Sequence, residues 1–216
     1  MNFTDYLKKY AQVINSQLEV FFKSWQKTVN QISPTILPLL DVSIEAGRGG
    51  KRIRGALVKL GFELSGGGEN SEIIKASAAF EIFQTAILTH DDIIDFSPLR
   101  RNKPTVYRVL GGDHYGISQA ICLGDIGFFQ AIKIVSELNF PDKQKTLAIC
   151  AFTKTMLDTG YGELLDVYLP HSNEKKIERD VLTIFKYKTA HYTVTGPLEL
   201  GAILAGASQD LLDKIG

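Results

Sequence analysis

The chain has 216 residues carrying 24 basic and 24 acidic side chains, so it has no net charge. That balance gives no electrostatic footprint for nucleic acid or an anionic membrane surface, and the length suits one domain with a full core. Residues 1–10 carry Asp5, Lys8 and Lys9 with no apolar run, so no signal peptide is expected there.

Along the chain, apolar residues recur at three- and four-residue spacing in Tyr6 to Trp25, Ile53 to Leu64 and Ile73 to Ile94. The pattern returns in Ile117 to Leu138, Thr146 to Leu165 and Val181 to Leu204. Pro34, Pro38, Pro98, Pro104, Pro141 and Pro170 fall between these segments, whereas Pro197 lies inside the last and predicts a kink. Asp142 and Glu174 stand near helix starts, where acidic residues suit the helix dipole. Hairpin signals are absent. The longest nearly uncharged apolar stretch, Leu198 to Ala207, is too short to span a bilayer. Cys122 and Cys150, set among apolar residues, read as packing thiols of a reduced compartment, and a cytoplasmic location is expected. The expected fold class is all-α, one domain over residues 1–216 with no repeat or linker.

The run Asp91-Asp92-Ile93-Ile94-Asp95, followed by Arg100-Arg101 and Pro104-Thr105, carries the chemistry. Three carboxylates so close repel and raise one another's pKa, a cost tolerable where a cation stands between them. On a helix Asp91 and Asp95 lie about 40° apart around the axis, one turn above the other. Oxygen ligands without His or Cys favour a hard ion such as Mg²⁺, and two arginines beyond offer planar forks for phosphate oxygens. The plainer alternative is a solvated acidic helix end before a basic loop, but Ile82, Phe83, Ala86, Ile87 and Leu88 suit a buried helix. A diphosphate site is the better reading.

Four further clusters point the same way. Gly49-Gly50-Lys51-Arg52-Ile53-Arg54 sets a glycine turn at a helix start, with Lys51 and Arg54 on one face for an anion; its alternative is a surface turn. Gln84, seven residues before Asp91, lies below it on the helix or simply meets a neighbouring helix. Gly162-Glu163-Leu164-Leu165-Asp166 and the pair Lys188-Thr189, near Tyr187, Tyr192 and Thr193, each also read as polarity at a core edge.

In combination and in this order, from about Val42 to Gly206, these residues resemble the trans-isoprenyl diphosphate synthases, the polyprenyl synthase family. The family's GGKRxR, first aspartate-rich motif with RRxxPT, GD pair, GQxxD and KT have counterparts at Gly49 to Arg54, Asp91 to Thr105, Gly124-Asp125, Gly162 to Asp166 and Lys188-Thr189. Three positions depart: Glu163 replaces glutamine, Gln84 sits where many members have histidine, and Asn102 replaces a glycine. The resemblance implies an isoprenoid-synthase-type helical bundle around a central cavity. It also implies a Mg²⁺-dependent prenyltransferase joining isopentenyl diphosphate to an allylic diphosphate in 1'-4 fashion. Asp91 and Asp95 would hold Mg²⁺ with Asp92 in support, and Arg100, Lys188, Thr189 and Glu163 would serve the allylic diphosphate. Lys51, Arg54, Gln84 and Arg101 would hold isopentenyl diphosphate.

The family's second aspartate-rich motif, which follows the KT segment by several turns, has no counterpart before Gly216. The chain is therefore expected to be an incomplete copy, truncated before the last helices and inactive or feeble alone. Members are usually homodimers, which the apolar surplus of Ile117 to Leu138 suits. Product length should be set by Ile87, Ala86 and Phe83, with Phe83 about 12 Å below Asp91 as the first large side chain; geranylgeranyl diphosphate is the expected product. A class I terpene cyclase or a non-catalytic partner subunit are the alternatives.

Overall fold

The computed structural model describes residues 2–173 and 177–215, and the chain divides into two compact units. One takes the chain up to Arg52 together with Ala78–Ile134; the other takes Ile53–Ser77 and everything from Val135 onward. The helix start anticipated at Glu174 lies outside the described residues.

In the first unit, helix α1 (Phe3–Ile32) buries Tyr6, Tyr10, Ile14, Leu18 and Phe22, one residue per turn along a single stripe. The Asn2 side chain accepts the Asp5 N–H and closes the first turn. Helix α2 (Leu37–Gly47) carries Pro38 in its first turn, where a missing N–H removes no helical bond. Helix α4 (Glu72–Ile94) carries Phe80, Phe83 and Ala86 on its buried face, and Phe83 meets the rings of Phe80 and Phe128 at 6.0 and 5.8 Å. Phe128 comes from α6 (His114–Ser136), where Gly127 brings the backbone against Ala86, since a Cβ there would lie 2.9 Å from the Ala86 methyl. Ala120 and Leu123 of α6 also close a cluster with Val106 and Tyr107 of the short α5 (Val106–Val109).

The sequence patterning does not anticipate three features of this unit. A two-rung hairpin, β1 (Leu99–Arg100) with β2 (Lys103–Pro104), follows the aspartates. Its turn residues Arg101 and Asn102 both adopt positive φ (53° and 63°), a mirror-image turn geometry more often signalled by Asn-Gly. Cys122 is exposed because α6 turns Leu123 and Ala120 inward instead; Cys150, in the second unit, is exposed too, so neither thiol packs in the core. Helix α6 is also long and apolar enough, by length and composition, to cross a membrane, although Leu198 to Ala207 is the stretch that stands out in the sequence.

In the second unit, α3 (Ile53–Leu64) crosses α9 (Gly196–Ala205) with backbones in contact. Gly61 abuts the Leu198 carbonyl and Gly201 the Val58 carbonyl, so neither position has room for a methyl group. Helix α7 (Asp142–Tyr168) begins at Asp142, as its acidic first turn suggests. After α8 (Glu178–Ile184), Phe185–Thr195 form a π-helix in which the Gly196 N–H donates to the His191 carbonyl five residues back. The disturbance predicted as a kink at Pro197 is thus a widened helix preceding it, and Pro197 sits in the first turn of α9. Helix α10 (Gln209–Ile215) ends the described chain.

Candidate diphosphate site

The first unit assembles its polar residues around a cavity of about 470 Å³ lined by Gln84, Leu88, Asp92, Arg100, Arg101 and Lys103 among others. Helix α4 ends at Ile94, and its last turn brings Asp92 to the cavity, with Asp91 beside it. The Ser97 N–H then donates to the Asp92 carbonyl at 2.9 Å and the Thr105 hydroxyl to the Ser97 carbonyl at 2.8 Å, which folds the hairpin back. Arg100 is thereby brought across both carboxylates. Its Nη2 donates to Asp91 Oδ2 and its Nε to Asp92 Oδ1, each at 2.8 Å.

Burial pushes the pKa of Asp92 above the ordinary carboxylate range against the pull of Arg100, and the charges of Asp91 and Asp95 add to the rise. Burial would lower the guanidinium of Arg100, but its bonds to Asp92 and the two aspartate charges outweigh that and raise it. Asp95 is exposed at the end of the helix. Asp91 and Asp92 facing one arginine leave one negative charge uncompensated on oxygen donors, the donor type of a hard divalent cation, although no group of three possible metal ligands comes together among the described residues.

Arg101 is the second arginine of the pair, and its guanidinium lies on Gly50, where a Cβ would sit 3.0 Å from Nη1. Gly49 and Gly50 both have positive φ (79° and 92°), so the turn itself depends on glycine. Lys51 is exposed, and α3 starts only at Ile53, so Lys51 lies outside the helix and helical spacing does not put it on a face with Arg54. Phe83, Ala86 and Ile87 are described residues that do not line the cavity; Phe83 and Ala86 turn toward α6. Gly124 admits the His90 ring, whose Nε2 lies 3.2 Å from the Ile121 carbonyl and 3.5 Å from Asp125, so the GD pair supports α4 from α6.

The second unit holds the other named residues. Gly162 lets the π-helix approach so closely that a Cβ would abut the Lys188 N–H. Lys188 Nζ then donates to Asp166 at 2.6 Å and lies 2.9 Å from Glu163. Burial alone would lower the Lys188 ammonium, but these carboxylates outweigh it and hold its pKa above the ordinary lysine value. Thr189 is exposed. Arg54, in the first turn of α3, stacks on Tyr192 at 3.9 Å and donates to the Thr193 hydroxyl at 2.8 Å. Glu81 is a polar partner that motif reading does not single out, while Arg52 and Asp166 stand inside their motifs with no role assigned. Asp166 was within reach of the sequence, since it lies one turn from Glu163 on the same helical face.

Residues 39–216 match the Polyprenyl synthetase family. The chain belongs to that family. It is 30% identical over 224 residues to geranylgeranyl pyrophosphate synthase 9, chloroplastic, from Arabidopsis thaliana, covering 99% of this chain and 58% of that protein. It is 33% identical over 168 residues to the geranylgeranyl diphosphate synthase of Mycobacterium tuberculosis, covering 77% of this chain and 45% of that one. Among solved structures it superimposes with a TM-score of 0.90, at 29% identity, on a geranylgeranyl pyrophosphate synthase from Corynebacterium glutamicum complexed with isoprenyl diphosphate and magnesium. That match covers 97% of this chain and 63% of that chain. This polyprenyl synthetase-family chain thus spans about half the length of the curated relatives it matches.

Proposed function

We propose that this chain carries the diphosphate-binding machinery of a trans-prenyltransferase that condenses isopentenyl diphosphate with an allylic diphosphate, 1'-4 and head to tail. The observation that carries the reading is Arg100 bridging Asp91 and Asp92 at a cavity rim, with Arg101 laid on the Gly49–Gly50 turn. A bidentate fork already set against oxyanions is preorganised for a diphosphate, and the surplus carboxylate charge is preorganised for its counter-ion. Asp91 and Asp95 would hold Mg²⁺, with Asp92 in support; bound there, the ion neutralises the charge that develops on the departing diphosphate.

The chain's own residues would do the rest. Arg100 and Lys188 would exchange carboxylate partners for oxygens of the allylic diphosphate, with Glu163 and Thr189 beside Lys188. Cleavage of the allylic C–O bond leaves a carbocation, which takes electrons from the double bond of isopentenyl diphosphate held by Lys51, Arg54, Gln84 and Arg101. The departing diphosphate then takes a proton from the resulting cation, which restores an uncharged hydrocarbon chain lengthened by one isoprene unit. No side-chain nucleophile takes part, and rate enhancement comes from placement and fixed charge.

Geranylgeranyl diphosphate is the product we propose. Its support is the geranylgeranyl diphosphate synthases among the relatives, since Ala86 packs against Gly127 and Phe83 against Phe128, away from the cavity described. The exposed Ile121, Ile126 and Phe129 of α6 support a homodimer, and two exposed free thiols suit a reducing cytoplasm. The test is incubation with labelled isopentenyl diphosphate, farnesyl diphosphate and Mg²⁺, followed by product chromatography. A geranylgeranyl product supports the reading, and product formation that is independent of isopentenyl diphosphate contradicts it. Where turnover is measured, Arg54→Ala should raise the KM for isopentenyl diphosphate and leave kcat nearly unchanged.

A further inference from the structure

Arg52 stands in the middle of the basic run Lys51-Arg52-Ile53-Arg54, yet its side chain points away from solvent. Only 5% of the residue is exposed, and its backbone adopts φ 54°, a conformation uncommon for a side chain with a Cβ. Three fixed groups hold the guanidinium: Nε donates to Asn15 Oδ1 of α1 at 2.7 Å, Nη2 to the Gly47 carbonyl of α2 at 2.9 Å, and Nη1 to Glu81 of α4 at 3.3 Å. Glu81 is itself 4% exposed, so the pair is buried on both sides. All three anchors belong to the same unit as the Gly49–Lys51 turn, which lies between Gly47 and Arg52. The turn is therefore clamped at one end by the Arg52 side chain, and Gly50 at its centre carries Arg101.

We infer that Arg52 is a positioning residue that fixes the Gly49–Lys51 turn and so sets the affinity for isopentenyl diphosphate, without touching that ligand. The inference rests on the function proposed above for Lys51 and Arg101. A planar fork reaching three acceptors at once cannot be reproduced by an ammonium. Arg52→Lys keeps the positive charge beside Glu81 but satisfies only part of the set, which frees the turn.

The experiment compares wild type with Arg52→Lys by amide hydrogen exchange and by calorimetric titration with isopentenyl diphosphate and, separately, with inorganic pyrophosphate plus Mg²⁺. Arg52→Lys should exchange faster at residues 49–52 and bind isopentenyl diphosphate about tenfold more weakly, with pyrophosphate–Mg²⁺ binding unchanged. Asn15→Ala, which removes one anchor and leaves the buried ion pair, should move the same two readouts by a few-fold and serves if Arg52→Lys does not fold. Unchanged exchange across the turn in a folded variant overturns the inference, as does an equal loss of both ligands. If wild type binds neither ligand, the proposed function fails and the ligand half of the inference with it; the exchange data still decide whether Arg52 fixes the turn.

Discussion

Each unit holds a cation between two carboxylates, but the two arrangements are built differently. In the first, a planar guanidinium spans Asp91 and Asp92, and the helix beneath is backed by Phe80, Phe83 and Phe128. In the second, a flexible lysine on a π-helix reaches Asp166 and Glu163, and Gly162 rather than aromatic packing brings it there. The first is rigid and carries one carboxylate too many for its arginine. The second carries the same surplus, because Glu163 adds a charge where the family's glutamine would not. A site that has to release an ion pair before it can take a diphosphate gives up affinity, and the second unit should feel that more.

The aromatic backing is the largest lever on this contrast. Phe83 is 1% exposed, and Phe83→Ala should cost about 3–5 kcal/mol of stability in denaturant unfolding. Where turnover is followed, product length should stay unchanged, because Phe83 packs against Phe128 instead of lining the cavity, and longer products would reinstate it as the barrier that the sequence suggests. Arg100→Ala comes next. It strands the buried Asp92 carboxylate, and after allowance for the partly exposed arginine the cost at pH 7 should be about 1–2 kcal/mol. The pKa of Asp92 is already raised by burial and should rise further without its partner. Lowering the pH through that raised value neutralises Asp92, so the deficit should shrink in acid, as a thermal melt series would record.

Glu163→Gln sharpens the comparison from the other side. With one carboxylate removed from Lys188, binding of an allylic diphosphate should tighten about threefold to tenfold, measured by calorimetry with Mg²⁺ present. The smallest effect concerns Glu199, which lines a second cavity with Asp158, Lys154 and His191 in the second unit. Burial raises its pKa and the Asp158 charge adds to this, while Lys154 and His191 pull it down. A raised carboxyl favours folding when protonated, and that advantage is lost as pH rises through the folded-state value, so the ionised form is a net cost at pH 7. Glu199→Gln should therefore melt about 1–2 °C higher at pH 7 and show no gain below about pH 4.

Much of this organisation is legible in the chain itself. Helix α3 occupies Ile53–Leu64, the span its apolar spacing marks, and α4 starts one residue from the position expected. Asp91, Asp92 and Arg100 belong to one motif, but their direct ion pairing is not legible there, since the motif sets both sides toward a ligand. The π-helix at Phe185–Thr195 is not legible, because its five-residue hydrogen-bond step leaves no period distinct from the flanking α-helix over eleven residues. The hairpin is hidden by a turn made from Arg101 and Asn102 in place of the usual glycine signal. Arg52 is the sharpest case. It stands in the basic run between Lys51 and Arg54 with no role assigned to it, and its buried partner Glu81 lies 29 residues away with nothing local to mark the pairing. Cys122 and Cys150 mislead for the opposite reason, since apolar neighbours in sequence do not fix which way a helical residue points.

The most direct test of the Asp91–Asp92–Arg100 knot as a diphosphate site is calorimetric titration of the chain with inorganic pyrophosphate, with and without Mg²⁺, repeated on Asp91→Ala. Binding that requires Mg²⁺ and is weakened at least about a hundredfold by Asp91→Ala is the expected result. Binding of equal strength without Mg²⁺, or equal in Asp91→Ala, would contradict it.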